Sequence, residues 1–592
     1  AEGVKTLTCC NGDLVQVKRD RTLSDFSSWG VTPDLKLKPE IAGVGGNIYS
    51  TRGPSIAGSN YGLMSGTSMA TPQIAGAMAV LMQYLRQNYP QYQEAELRQV
   101  AANLMMSTAD PILDSNGLEV SPRGQGAGLA NLVKATSSLA YLSNAQAYEN
   151  RAKAELGDDD AKNGVYTFPF TINNMSGEKD LTYTFNASIL TETVVTYTNG
   201  TFIGHAPYAL GASLTVAGAT ESNIMKYDFN DDGEITTADA RVLLLHVTDD
   251  APIAEDNVHY AYLDVNGDGT VNKDDVDVIT AYCAELEVST DLTENAVISG
   301  TEALESVTVP AGESVTLTAT ITLTAEDKAY LDASFENGMY VEGFLYVKSA
   351  TDDTTDLEMP FLGFYGDWSQ APAFDSADED EASLYPLSIF TNNAAIGTNP
   401  YIRTGASGDE YNAFSYANPL AEIDVGLLRN LKKINFQVKD KVTNEVYFDL
   451  TGEYMAKSYY NSGYGQIIPL YVLAEEGEVW NGLDKNDNKL PDGTTVTYTA
   501  SAWLDDGDDV MDDSFSFDVT LDDKAPVVEN EATLQQDLKI ENGKVLLPLK
   551  LNDNQHIAAL IFVNNDGIIM GKYEVKNEPG KTFTQDYDIT GF

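Results

Sequence analysis

Ser65-Gly66-Thr67-Ser68-Met69-Ala70-Thr71-Pro72 is the stretch on which the reading of this chain turns. A lone serine carries no information, because hydroxyls usually cap helices or face water. Here Gly66 permits a close backbone approach just before the hydroxyl. The residues that follow, Gln73-Ile74-Ala75-Gly76-Ala77-Met78-Ala79-Val80-Leu81-Met82, predict a buried helix with Pro72 in its first turn. A serine at a helix start sits beside unpaired N–H groups and the positive end of the helix dipole. That setting favours developing negative charge, so Ser68 is the candidate nucleophile.

Three further stretches lie around it: Phe26-Ser27-Ser28-Trp29-Gly30 and Lys38-Pro39-Glu40-Ile41-Ala42 upstream, and Gly124-Gln125-Gly126-Ala127-Gly128 downstream. Together with Gly66–Pro72 they resemble, in order, the motifs of the subtilisin-like serine peptidases, in particular the cell-envelope branch of lactocepin and C5a-peptidase type. The resemblance implies an α/β parallel-sheet peptidase domain, of which residues 1–145 would be the C-terminal part, with Ser68 acylated during hydrolysis of proteins or peptides. It also implies an Asp and a His upstream of the serine, and an Asn for the oxyanion. The four histidines, His205, His246, His259 and His556, all follow Ser68. Asn11, Asn47 and Asn60 precede it, but in no matching context. The chain is therefore expected to begin inside the catalytic domain, to stop inside a further β-module, and to be inactive alone. Where the family has Ala-Pro-Gly, this chain has Gly43-Val44-Gly45.

The remaining composition is consistent with this. At 592 residues the chain is too long for one core, and 43% hydrophobic content supplies several. A net charge of -53 excludes a nucleic-acid partner and suits an extracellular cation binder. Cys9, Cys10 and Cys283 form no disulfide framework. No stretch reads as a membrane span.

Alternating segments at Val165–Ile172, Leu181–Phe185, Glu305–Thr320, Tyr340–Val347 and Met359–Trp368 predict strands. They resemble the interrupted fibronectin-III-like sandwich of the same peptidases, residues 160–368. The interruption, 222–287, holds two calcium-type loops. Asp228, Asn230, Asp232, Glu234 and Asp239 occupy positions 1, 3, 5, 7 and 12 of the first, with Gly233 at the turn. Asp264, Asn266, Asp268, Thr270 and Asp275 repeat the pattern, with Gly269 at the turn. Carboxylate and amide oxygens at alternate positions suit Ca2+, with Glu234 and Thr270 supplying backbone carbonyls. Each loop opens a helix. The pair resembles a type I dockerin, which implies a cohesin-bearing scaffold as partner.

A second β-sandwich is expected over 370–525 and the start of a third over 526–592. The acidic loop Trp480–Thr494 reads as a polar hairpin turn, and the histidines as surface or core residues. The expected fold is thus multidomain: a partial α/β domain, all-β sandwiches and a small α-helical insertion. Two functions fit. One is an extracellular serine endopeptidase tethered by a calcium module. The other is a non-catalytic cohesin-binding protein with a vestigial peptidase part.

Overall fold

The computed structural model describes residues 5–8, 14–17, 22–51, 53, 61–197, 200–255, 257–351, 354–376, 388–391, 412–461, 466–468, 470–473, 477, 479–505 and 509–592. Cys9, Cys10, Asn11 and Asn60 lie outside them.

Helix α1, Thr67–Asn88, packs its C-terminal half against α2, Glu94–Ser107. Leu81 and Leu85 interlock there with Leu97, Val100 and Leu104. The first half of α1 departs from the expected buried helix: its residues are half-buried or exposed, with Val80 50% exposed. Burial needs covering chain; among the described residues the apolar partners of α1 gather on its second half, and its first half meets the Gly43-Val44-Gly45 backbone. Pro72 is the sixth helical residue rather than a first-turn one. Its missing N–H leaves the Ser68 carbonyl without the usual helical donor.

The strands described here pair as antiparallel hairpins, Lys5–Thr8 with Leu14–Val17 and Ile48–Thr51 with Tyr61–Met64. The expected parallel sheet is not formed among the described residues. The connections 9–13 and 52–60 are shorter than the dozen or so residues that a parallel crossover requires. A single parallel bridge joins Ala42 to Leu129.

The first sandwich has two sheets. One runs Asn295–Ala303, Ser213–Met225, Ser314–Thr322, Val165–Asn174, Ala140–Ser143. The other runs Ser306–Val309, Leu181–Tyr197, Met339–Ser349, Leu357–Tyr365, Ala154–Asp159, with Gly200–Ala209 pairing Leu181–Tyr197. Alternation in Val165–Asn174 turns Tyr166, Phe168, Phe170 and Ile172 into the shared core. Ala140–Ser143 and Ala154–Asp159 are sheet members, so the sheets reach back before residue 160. These strands are too short for alternation to reveal them. Met106, Ala109 and Ala127 join the same core, so the preceding segment is packed directly onto the sandwich.

Two helices, α3 (Thr237–Val247) and α4 (Lys273–Cys283), lie between neighbouring strands of the first sheet and enclose their own core of Tyr227, Phe229, Leu243, Leu263, Val276 and Ile279. A second β-unit is built on the five-stranded order Ala413–Phe414, Asp513–Leu521, Thr495–Trp503, Leu431–Asp440, Val446–Met455. A third, smaller one is centred on Lys544–Asn552, with Leu549, Leu551, Ile557, Val575 and Tyr587 inside.

Candidate functional site

Ser68 is the second residue of α1 and is exposed. The helix starts without a side-chain cap and without an acidic residue in its first turn, so no carboxylate competes for its positive end. Gly66, the N-cap, has φ 153° and donates its N–H to the Gly45 carbonyl at 2.9 Å. The two backbones touch: a Cβ on Gly45 would lie 2.7 Å from the Gly66 oxygen. Gly43-Val44-Gly45 is thus held against the helix start, and Gln73 Nε2 donates to the Val44 carbonyl at 2.8 Å. The Asn47 N–H donates to Ser65 Oγ at 2.8 Å.

The other motifs converge behind this turn. The Gly30 N–H donates to the Arg123 carbonyl at 2.9 Å, the Ala127 N–H to the Glu40 carbonyl at 3.0 Å and the Ala42 N–H to the Gly128 carbonyl at 2.9 Å. Gly126, at φ 62°, is required: a Cβ there would lie 2.2 Å from the Glu40 carbonyl carbon.

The histidines are dispersed over other elements. His246 sits on α3, its Nδ1 accepting from the Ile253 N–H at 3.0 Å. His259 is buried, 3.0 Å from Asp231 and 3.1 Å from the Lys226 carbonyl. His556 follows Lys544–Asn552; the side chain of His205 lies outside the described residues.

The two acidic loops share one hydrogen-bond plan. In the first, the Asp228 carboxylate accepts from the N–H groups of Asp232 (3.1 Å) and Gly233 (2.8 Å). Asp239 accepts from Asn230 (3.2 Å) and Thr236 (2.8 Å). In the second, Asp264 accepts from Asp268 (3.1 Å) and Gly269 (2.8 Å), and Asp275 from Asn266 (3.0 Å) and Asn272 (2.8 Å). Asp239 and Asp275 are fully buried and also close capping boxes with Thr236 and Asn272. Asn230 and Asp232 join at 2.8 Å, and Asn266 and Asp268 at 3.3 Å. Glu234 and Thr270 donate their N–H groups to Asp232 and Asp268. Among the described residues, no group of three or more His, Cys, Asp or Glu side chains stands close enough to hold a metal ion. The donor set nevertheless fits a hard cation: carboxylates and amides only, with no Lys or Arg among the described residues paired to a loop carboxylate.

One group was not legible beforehand. Arg123, 3% exposed, makes a bidentate pair with Glu342 at 2.8 and 3.1 Å, bonds Glu192, and lies 4.0 Å above the Tyr340 ring. Burial works against its charge, but Glu342 and Glu192 outweigh it and push the pKa up. Its partners are remote in sequence, so no local pattern marks them.

The chain is similar to known proteins over most of its length. Residues 13–128 match the subtilase family. An Fn3-like domain matches residues 262–362, and a dockerin type I domain residues 226–284. Among similar proteins, a PI-type proteinase of Lactococcus lactis subsp. cremoris is 28% identical over 550 residues, 88% of this chain. A PII-type proteinase of Lacticaseibacillus paracasei gives the same figures. A C5a peptidase of Streptococcus pyogenes serotype M1 is 23% identical over 633 residues, 95% of this chain. The chain spans 23% of the length of these two proteinases and 44% of the C5a peptidase. The matched relatives are named as proteinases and peptidases. No helix among the described residues is long and apolar enough to cross a membrane.

Proposed function

We propose that this chain is the serine-bearing part of an extracellular subtilisin-like endopeptidase, with Ser68 as nucleophile. The observation that carries the reading is the exposed hydroxyl at the uncapped start of α1, clamped by Gly45 and Gly66. Ser68 Oγ attacks the scissile carbonyl, and the backbone N–H groups of the first turn stabilise the oxyanion. No histidine precedes Ser68, and none in the chain sits in a matching motif, so the base and its orienting Asp come from residues outside this sequence. The chain alone is therefore inactive, because loss of the base costs on the order of a million-fold.

The domain reading is 1–145 for the peptidase part, 160–368 for the interrupted sandwich, 222–287 for the calcium module, and 370–525 and 526–592 for the following sandwiches. The paired loops bind two Ca2+, through Asp228, Asn230, Asp232, Glu234 and Asp239, and through Asp264, Asn266, Asp268, Thr270 and Asp275. The ion neutralises buried carboxylates and fixes each helix start; the module then docks to a cohesin-bearing scaffold. The matching hydrogen-bond plan of the loops supports this. The alternative, a scaffold protein with a vestigial peptidase part, is favoured if the upstream sequence lacks the Asp and His motifs.

Casein hydrolysis by the full-length protein tests the enzyme reading. Activity abolished by Ser68→Ala supports it; equal activity in the variant, or none in the parent, refutes it.

A further inference from the structure

The contact between the second and third β-units carries carboxylates that the reading above does not use. Asp522 directly follows the strand Asp513–Leu521, its N–H donating to the Phe414 carbonyl at 2.9 Å. Asp553 follows Lys544–Asn552 in the next unit and is 4% exposed. Its Oδ1 accepts from the Gln555 N–H at 2.7 Å, but its Oδ2 is buried with no hydrogen-bond partner. Asp522 Oδ1 is likewise buried and unpartnered. A buried polar oxygen without a donor is uncommon, and a buried anionic one is costly. The two residues flank one junction, where Asp492 takes both the Asp523 N–H and Asn554 Nδ2.

The surroundings show what they lack. Asp492, at the rim, is fully engaged: Lys524 at 2.9 Å, Asn554 Nδ2 at 2.8 Å and the Asp523 N–H at 2.8 Å. No such donor reaches the two orphan oxygens. Burial, then the charges of Asp553, Asp492 and Asp523, push the Asp522 carboxyl up to about 6. Like charges held in poor solvent are relieved by a proton or by a cation.

We propose that this junction binds a hard divalent cation of the calcium class, held by Asp522 Oδ1 and Asp553 Oδ2 and completed by water and backbone carbonyls. Two carboxylates contributed by successive units make the ion a staple: it stiffens the linker Asp522–Pro526 and fixes one unit against the next. The site is separate from the paired loops and does not depend on them.

The test is Ca2+ stoichiometry by native mass spectrometry on the whole chain, for the wild type, Asp553→Asn and Asp522→Asn. Each variant is expected to carry one ion fewer than the wild type, whatever the loops hold. Thermal melts add a second signature. In chelator the variants melt above the wild type, because a buried repulsion is gone; in Ca2+ the order reverses. An unchanged ion count in both variants, or melting curves that keep the same order with and without Ca2+, overturns the proposal. Asp522 is only half-buried, so its variant preserves the test if Asp553→Asn fails to fold. Crossover at acid pH in place of Ca2+, with the ion count unchanged, would identify a shared proton and also overturn it.

Discussion

Single side chains decide both chemistry and assembly here. The signal that makes Ser68 a candidate is local: a glycine, a hydroxyl and a helix within eight residues. Arg123 was not, because Glu192 and Glu342 come from strands of the sandwich. Removing one member of a buried ion cluster leaves the others uncompensated, at a cost of roughly 3–5 kcal/mol. Arg123→Ala is therefore expected to lose stability in that range by denaturant unfolding. Replacing Arg123, Glu192 and Glu342 together by apolar residues should cost far less. A second residue-scale outcome concerns Gly126. Its positive φ and its contact with Glu40 leave no room for a methyl, so Gly126→Ala should lose soluble yield, while Gly117→Ala, with open space around it, should lose only a little stability to its own positive φ.

Elements show where pattern succeeds and where it stops. The calcium-type loops declare themselves through fixed spacing, and each helix start follows from a capping box using the twelfth loop residue. On the proposed calcium reading, that double use would tie the ion to the helix. Chelation is expected to reduce helical circular dichroism, and Asp239→Ala and Asp275→Ala to lose one bound ion each by calorimetry. No calcium-dependent heat would contradict this. Helix α1 was only half legible. Its apolar composition announced burial, but burial depends on a partner that sequence periodicity does not supply. Short strands such as Ala140–Ser143 escaped for a related reason, because four residues give too few alternations to read.

At the scale of the whole molecule, part-buried polar contacts fasten residues 31–37 to the second β-unit. Trp368 Nε1 donates to the Pro33 carbonyl at 3.0 Å, and Asn430 Nδ2 to the Val31 carbonyl, tying residues 31–37 into the second β-unit. Lys457 lies near Arg123 and Glu192. Burial and the Arg123 charge, partly offset by Glu192, pull its pKa down from 10.5 to about 8. Below about 8 the folded chain holds the ammonium in poor solvent. Between about 8 and 10.5 the unfolded chain binds more protons than the folded one, so stability rises with pH across that window. Lys457→Met should flatten that rise in melting temperature; an unchanged slope would contradict the placement. Long-range junctions of this kind are invisible to a reading by segments, which is why the fastening of the units was not legible.

The central claim is that Ser68 becomes acylated once the rest of the catalytic domain is present. Fluorophosphonate labelling, followed by mass spectrometry of the peptide containing Ser68, tests it directly. The account predicts the adduct on Ser68 in the full-length protein and none on this chain alone. A full-length protein with active-site Asp and His motifs that stays unmodified at Ser68, or an isolated chain that labels there, would contradict it.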